Sequence, residues 1–434
     1  MKRLLIQFKM FFIFLADMAV GFAALFLTIL VRYKGENFYS KLEVHLLPFF
    51  IITLLFTLVF YIFNLYSFRF NKNITEFTGS FLKSLAISFS LSVLIFYIFG
   101  DFFKLTPKTN LVLFAIIFGA VDFYLRILIK RYFGKKRINR KIIIASDKED
   151  DLLKELKENQ NIGYEVLKVT NSLDLNEISS LEPDLVVINS IEGQDLEKIY
   201  NIMKKGIFVY TINNFYEEVF QKLPTKKIEK EEIIDYISKN KSIFNFFKRT
   251  IDIISSATLI LVLSPLFLIA AFLIKITSAG PVFFKHKRIS LNDSEFEIYK
   301  FRSMYTNAEE NGAVWTANNK EDPRITPIGR FMRETHLDEI PQLINILKGD
   351  ISFVGPRPER PEFVSGLKRD IRYYDLRHAV KAGLTGWAQV NYKYGSSVKD
   401  AEEKLKYDFY YIKNRTIFFD ALIILKTIAK IFNY

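Results

Sequence analysis

Long apolar runs crowd the first third of the chain and then stop. Four of them, Met10–Val31, Leu46–Tyr66, Phe81–Phe99 and Leu111–Ile129, carry almost no charge. Each approaches the ~20 residues that carry an α-helix across ~30 Å of hydrocarbon, so a four-helix membrane bundle is expected over 1–133. From Lys141 the pattern changes to short β-rich runs, KIIIA, YEVLKV, DLVVIN and GIFVYTI. Polar stretches of helical character, such as Asp150–Asn159 and Asp195–Lys205, lie between them. That alternation predicts a parallel sheet with crossover helices over 134–240. The charged tract Lys222–Lys241 reads as a linker to a third region, 241–434.

The third region opens on another apolar run, between Arg249 and Lys275, in which only Asp252 is charged. Ser264-Pro265 interrupts it. Pro265 removes a backbone N–H and crowds the carbonyl of Leu261, which kinks or breaks a helix. Ser264 can satisfy the freed group. Basic residues border both sides, Lys241, Lys248 and Arg249 before it and Lys275, Lys285, Lys287 and Arg288 after it. These features suit a re-entrant membrane helix hinged at Ser264 and Pro265 better than a fifth span.

Composition agrees with contact to a bilayer: 50% of residues are apolar, and 44 are Phe. The net charge of +13 sits beside the apolar segments, which fits an anionic membrane face and argues against nucleic acid as a partner. Lys2, Arg3, Lys9, Arg69, Lys72 and a run from Lys130 to Lys141 outweigh the charges of the first and third loops. Both ends of the bundle are therefore expected on the cytoplasmic side. Asp17 and Asp122, in or near the spans, read as partners to a neighbouring helix or as interfacial groups rather than as a transport site. With no cysteine, disulfides, thiolate catalysis and cysteine-ligated metal are excluded. The middle region reads as a Rossmann-like α/β domain, but its first turn, Ala145-Ser146-Asp147-Lys148, has no glycine and an acid that would repel a pyrophosphate. A modulatory role is expected for it.

The chemistry concentrates between Thr335 and Pro358. Asp338 and Glu339 are adjacent, Pro341 suits the first turn of a helix, and Arg357 is held between Pro356 and Pro358. Carboxylates just ahead of a helix are favoured in ionised form by ~0.3–1 kcal/mol. On the dipeptide alone a solvated cap is the ordinary reading. Lys300 and Arg302 flank Phe301 and would share one face of a strand. Arg333 precedes the acidic pair, and Arg324 lies in DPRIT.

Seven ordered blocks carry a resemblance: SP in the apolar run, GPVFFKHKRI, KFRSM, DPRITPIGRFMRETHLDEIPQL, GDISFVGPRPERPEF, AGLTGWAQVNY and YDFYYIKN. The carboxy-terminal region resembles the bacterial sugar transferases, that is, polyprenyl-phosphate phosphoglycosyl transferases. With the four spans and the Rossmann-like domain, the whole chain resembles their long form. The fold implied is a membrane α-helical bundle, a Rossmann-like α/β domain and a small α/β catalytic domain with a re-entrant membrane helix.

The resemblance implies transfer of a sugar 1-phosphate from a UDP-sugar to undecaprenyl phosphate, with UMP released, at the start of exopolysaccharide assembly. It implies that Asp338 is the nucleophile and carries a covalent phosphosugar, with Glu339, alongside Asp338, binding Mg²⁺. Arg357, Lys300, Arg302, Arg333 and Arg324 would bind phosphate. Thr385, Gly386, Gln389, Tyr407 and Asp408 would line the nucleotide-sugar pocket. The location implied is the bacterial cytoplasmic (inner) membrane, multi-pass, with the catalytic domain on the cytoplasmic face and surface enough for a homodimer. Two departures stand out: His286 where the family usually has Gln, and Ser290 where it has Gly. His286 reads as structural. The terminal FFDALIILKTIAKIF is expected as an amphipathic helix on the membrane surface. Two alternatives stay open, a membrane glycosyltransferase that releases UDP and an inactive scaffold of polysaccharide assembly.

Overall fold

The computed structural model describes residues 2–63, 65–66, 74–103, 108–134, 140–145, 150–158, 163–171, 174–189, 196–225, 241–306, 308, 322–392, 395 and 397–432. The chain forms two compact units, Met1–Tyr210 and Thr211–Phe432.

In the first unit each long apolar run is a helix: α1 Lys2–Tyr33, α2 Phe38–Ile62, α3 Ile74–Ile98 and α4 Lys108–Gly134. Among the described residues four stretches are long and apolar enough to cross a membrane, Phe11–Tyr33, Phe38–Ile62, Phe77–Ile98 and Thr109–Ile129. The second starts and ends earlier than its hydropathy suggests. Pro48 is absorbed inside α2, and the chain turns out of the helix at Phe63. The inner faces are aromatic: Phe49, Phe56, Phe60, Phe114 and Phe118 are fully buried, with Phe56 and Phe118 edge to face at 5.3 Å. A charged cluster interrupts this core. Arg126 donates from Nη2 to Asp17 Oδ2 and from Nε to Asp122 Oδ2, both at 2.7 Å. It also donates to the Leu65 carbonyl at 2.8 Å, and the Tyr66 hydroxyl donates to Asp17. The sequence reading found the two acids but not the arginine that joins them.

Four strands follow, β1 Arg140–Ala145, β2 Tyr164–Thr170, β3 Leu185–Ile188 and β4 Phe208–Thr211, in the spatial order β2-β1-β3-β4. β1 pairs in parallel with both β2 and β3. Helices α5 Asp150–Glu158, α6 Leu175–Leu181 and α7 Leu196–Lys204 lie between the strands in sequence. From sequence α6 is expected only in kind, as one of the crossover helices, and not by its residues. It is short and is started by Asp174, whose carboxylate accepts from Asn176 N. The turn Ser146-Asp147-Lys148, the basic residues Arg69, Lys72, Lys135, Lys136 and Arg137, and 226–240 of the charged tract lie outside the described residues.

The second unit begins with α8 Ile212–Phe220. Lys222–Thr225, the described start of the tract expected as linker, packs into this unit instead. Leu223 is buried in its main apolar cluster, its N–H donates to the Lys406 carbonyl at 3.0 Å, and Lys222 pairs with Glu403 at 2.5 Å. Charge density misled here because Lys222 has a specific acidic partner far along the chain.

Next come α9 Ser242–Val262 and α10 Ser264–Thr277, bent by 60° where they meet. Ser264 Oγ donates to the Leu261 carbonyl at 2.7 Å, the group that Pro265 displaces. The pair is two-faced. Ile260 and Leu263 pack on Leu343 and Ile346, and Ala270 and Ile274 on Phe301 and Met332, whereas Leu261, Val262, Leu268 and Phe272 are exposed. The basic residues ahead of the bend are turned inward. Arg249 donates to the carbonyls of Ile346 and Leu347, Lys248 to Val354 and Asp420, and Lys241 to Lys413 and Arg415.

The remaining elements are the antiparallel hairpin β5 Phe283–Ile289 and β6 Glu295–Phe301, then α11 Pro327–Glu334, a 3-10 turn Leu337–Glu339, and α12 Gln342–Lys348. β7 Ser352–Val354 pairs in parallel with β8 Gly383–Thr385 around α13 Pro361–Asp370. α14 Trp387–Asn391, α15 Val398–Asn414 and α16 Ile417–Phe432 close the fold. α16 is amphipathic as expected, with Ile423 buried and Phe418 exposed.

Candidate active site

Asp338 and Glu339 form the 3-10 turn between α11 and α12. His336 takes a left-handed φ of 57° to start that turn, a backbone state uncommon for a residue with a side chain and one that reverses the chain sharply. Pro341 is the residue just before α12, so the acidic pair does precede a helix. α12 is fixed against the hairpin by the fully buried Asn345. Its side chain accepts from Tyr299 N at 2.9 Å and donates to the Glu297 carbonyl at 2.7 Å. That anchoring brings Lys300, near the end of β6, to the acidic turn.

The two carboxylates experience opposite surroundings. Glu339 Oε1 accepts from Lys300 Nζ at 2.7 Å and from Arg357 Nη2 at 2.8 Å. Burial works against its charge, but Arg357 and Lys300 more than offset this and hold its carboxyl well below the usual glutamate range. Asp338 is 7% exposed. Burial pushes its carboxyl up, against the attraction of Lys300 and Arg333 and with the repulsion of Glu339. The helix-end argument, which treats both acids alike, is therefore corrected. Burial and placed cations outweigh a dipole effect of ~0.3–1 kcal/mol.

Of the cations named from sequence, Lys300 and Arg357 meet at Glu339. Arg333 lies close enough to attract Asp338, and its Nε donates to Ser303 Oγ at 2.9 Å. Arg302 does not join them. β6 ends at Phe301, and Arg302 turns away to donate to the carbonyls of Ser278 and Ala279 at 2.7 Å, just past the carboxyl end of α10. Two-residue alternation fails once the strand has ended. Arg324 is bound by Asp322, with Nη2 to Oδ2 at 2.7 Å.

The pocket residues are distributed. Thr385 Oγ1 meets Thr427 Oγ1 at 2.6 Å, and Gln389 Nε2 donates to the Leu384 carbonyl. Tyr407 is half-buried beside Tyr392. Asp408 is 1% exposed and lies 3.0 Å from Arg377, so it faces the interior. Gly355, Gly383 and Gly386 allow this region to form. A Cβ on Gly383 would lie 2.0 Å from Gly355 N, and one on Gly386 2.2 Å from Gly355 O. Only bare backbone permits that approach.

Sequence reasoning did not single out Arg377, and it read Arg288 only as a charge flanking the apolar run. Arg377 Nη2 donates to the Arg357 carbonyl at 2.9 Å, and Arg288 Nη1 to the Pro358 carbonyl at 3.0 Å. His286, read as structural, accepts at Nε2 from Arg288 Nε at 2.7 Å. Burial and then Arg288 hold this imidazole down to about 2, so it is neutral. Among the described residues no group of three or more His, Asp or Glu side chains converges as a metal site. Asp338 and Glu339 are the adjacent carboxylates that could hold Mg²⁺, a cation that takes one or two such oxygens and completes its shell with water and substrate phosphates.

The chain's likeness to known proteins falls on this unit. The bacterial sugar transferase family profile matches residues 243–434. The UDP-N-acetylgalactosamine-undecaprenyl-phosphate N-acetylgalactosaminephosphotransferase of Aeromonas hydrophila is 42% identical over 205 residues, 46% of this chain and 48% of that protein. The UDP-glucose:undecaprenyl-phosphate glucose-1-phosphate transferase of Escherichia coli K12 is 38% identical over 185 residues, 42% of this chain and 39% of that protein. The chain thus spans less than half the length of these two relatives. An exopolysaccharide production protein of Rhizobium leguminosarum bv. phaseoli is 41% identical over 188 residues, which are 93% of its length and 42% of this chain. With a relative matched almost end to end and the site residues inside the matched region, this chain belongs to the bacterial sugar transferase family.

Proposed function

We propose that this protein is an undecaprenyl-phosphate sugar phosphotransferase that moves a sugar 1-phosphate, a hexose 1-phosphate, from a UDP-sugar to undecaprenyl phosphate. The observation that carries the reading is the asymmetry of the acidic pair: Glu339 is bound by Lys300 and Arg357, while Asp338 beside it is buried without such a clamp. The relatives named for this same transfer support it. An Asp338 carboxylate oxygen attacks the β-phosphorus of the UDP-sugar, the bond to the bridging oxygen breaks, and UMP leaves with that oxygen. An oxygen of undecaprenyl phosphate then attacks the same phosphorus, and Asp338 departs as a carboxylate. Arg357, Lys300 and Arg333 neutralise charge on the phosphoryl oxygens. Mg²⁺, held by Glu339 and Asp338, would add to that neutralisation when bound.

The bent α9–α10 pair acts as a re-entrant membrane helix hinged at Ser264 and Pro265. Its exposed apolar face and packed inner face support this reading. The catalytic unit then lies on the cytoplasmic face of the bacterial inner membrane, and the Rossmann-like sheet modulates it. The test is membranes bearing the protein, undecaprenyl phosphate and a panel of UDP-sugars. UMP release, abolished by Asp338→Asn, is expected. UDP release in its place would make the protein a glycosyltransferase.

A further inference from the structure

Four consecutive carbonyls around Arg357 are each held by a different donor. Pro356 O accepts from Gly383 N at 2.9 Å, Arg357 O from Arg377 Nη2 at 2.9 Å, Pro358 O from Arg288 Nη1 at 3.0 Å, and Glu359 O from Ile289 N at 3.0 Å. Two of these donors are guanidinium groups, and each has a side-chain partner of its own. Arg377 is 5% exposed; its Nη1 donates to Tyr374 Oη at 2.5 Å, and Asp408 lies against it. Arg288 is aimed by His286, whose Nε2 accepts from its Nε.

A buried guanidinium is costly unless it is paired and hydrogen-bonded. Here the pairing is spent on a backbone carbonyl of a residue whose own side chain, one third exposed, reaches Glu339. Prolines on both sides already restrict the segment. Fixing the carbonyls as well removes the remaining freedom of the backbone from which the Arg357 side chain projects.

We infer that Arg377, oriented by Asp408, is a positioning residue that sets the direction of the Arg357 guanidinium toward an incoming diphosphate. The inference rests on the reading above only in assigning phosphate to Arg357. Arg377 touches no substrate. Its effect passes through the 357 carbonyl.

A double-mutant cycle tests this: wild type, Arg377→Lys, Arg357→Ala and the double variant, each assayed in detergent for UDP affinity by equilibrium dialysis. Thermal melting is recorded alongside. Lysine keeps the charge beside Asp408 but cannot hold Tyr374, Asp408 and the 357 carbonyl together. Arg377→Lys is expected to weaken UDP binding about tenfold in the wild-type background and less than twofold once Arg357 is gone. Equal losses in both backgrounds overturn the inference. If Arg377→Lys does not fold, Asp408→Asn replaces it in the same cycle with the same expectation. UMP release by the wild type is measured separately. Its absence would overturn the proposed reaction, while a coupled cycle would still establish the positioning role.

Discussion

Arg357 and Glu339 lie 18 residues apart in sequence and meet at 2.8 Å, Nη2 to Oε1. The contact links the proline-held loop after β7 to the acidic turn ahead of α12, and Lys300 closes it from the hairpin. Three separate elements thus converge on one carboxylate oxygen. Removing one cation leaves Glu339 half-neutralised in a mostly buried site. Arg357→Ala is expected to lower kcat/KM by about 10²–10³, the usual scale for loss of a placed donor at a site of developing charge. Arg357→Lys should restore only part, because an ammonium lacks the planar fork. Initial rates of UMP release report both, and an Arg357→Ala enzyme at wild-type rate would exclude the role.

The acidic pair should separate cleanly by chemistry. With UDP-sugar labelled in the sugar and no lipid acceptor, the wild type is expected to retain label on the protein. Asp338→Asn should retain none, because an amide is not a competent nucleophile. Glu339→Gln should still accumulate label, but more slowly. Label on the Asp338→Asn protein would exclude the covalent route through that residue.

The contact of bare backbones at Gly355, Gly383 and Gly386 is a structural test. Gly386→Ala places a Cβ about 2.2 Å from the Gly355 carbonyl oxygen, so the strand pair must part. Overpacking of this kind costs roughly 1–3 kcal/mol. A lowered melting temperature is expected together with reduced activity, since Gly355 leads directly into the Arg357 loop. Gly366→Ala, where a Cβ meets nothing within 4 Å, is the matched control.

Asp408 gives a signed dependence on pH. Burial pushes its carboxyl up to about 6, against the pull of Arg377, from an ordinary 3.8. Between these values the folded state holds the proton more tightly than the unfolded chain, so stability falls as pH rises. Relative to Asp408→Asn, the wild type should be most stable below about pH 4 and lose on the order of 3 kcal/mol by the time pH passes about 6. Urea unfolding of the two proteins across that range checks the slope. A difference that grows with pH would contradict the burial argument.

The spans, the four strands and the acidic pair were legible because each depends on local sequence: run length, β-rich clusters, a proline after two acids. The bend at Ser264 was legible too, down to the Leu261 carbonyl that Pro265 displaces. What the sequence hid were relations between distant residues. Arg302 shares the KFRSM block with Lys300, yet the strand ends between them and sends Arg302 to the end of α10. Lys222 looked like linker charge and is tied to Glu403. Arg377 carried no motif at all, since its importance lies in a partner on α15 and in a carbonyl it does not adjoin in sequence. The contrast between Asp338 and Glu339 was invisible for the same reason: neighbours in sequence, they differ only in what the fold places beside them.

The Asp17–Arg126–Asp122 cluster bears on what holds the amino-terminal helices in their arrangement. Its members come from the first and last spans, with Tyr66 and the Leu65 carbonyl contributed by the turn after the second. A buried aspartate or arginine is costly unless it is paired. The Asp17 carboxylate therefore keeps its ionic partner only while the first and fourth helices are packed together, so parting that pair would strand a buried charge.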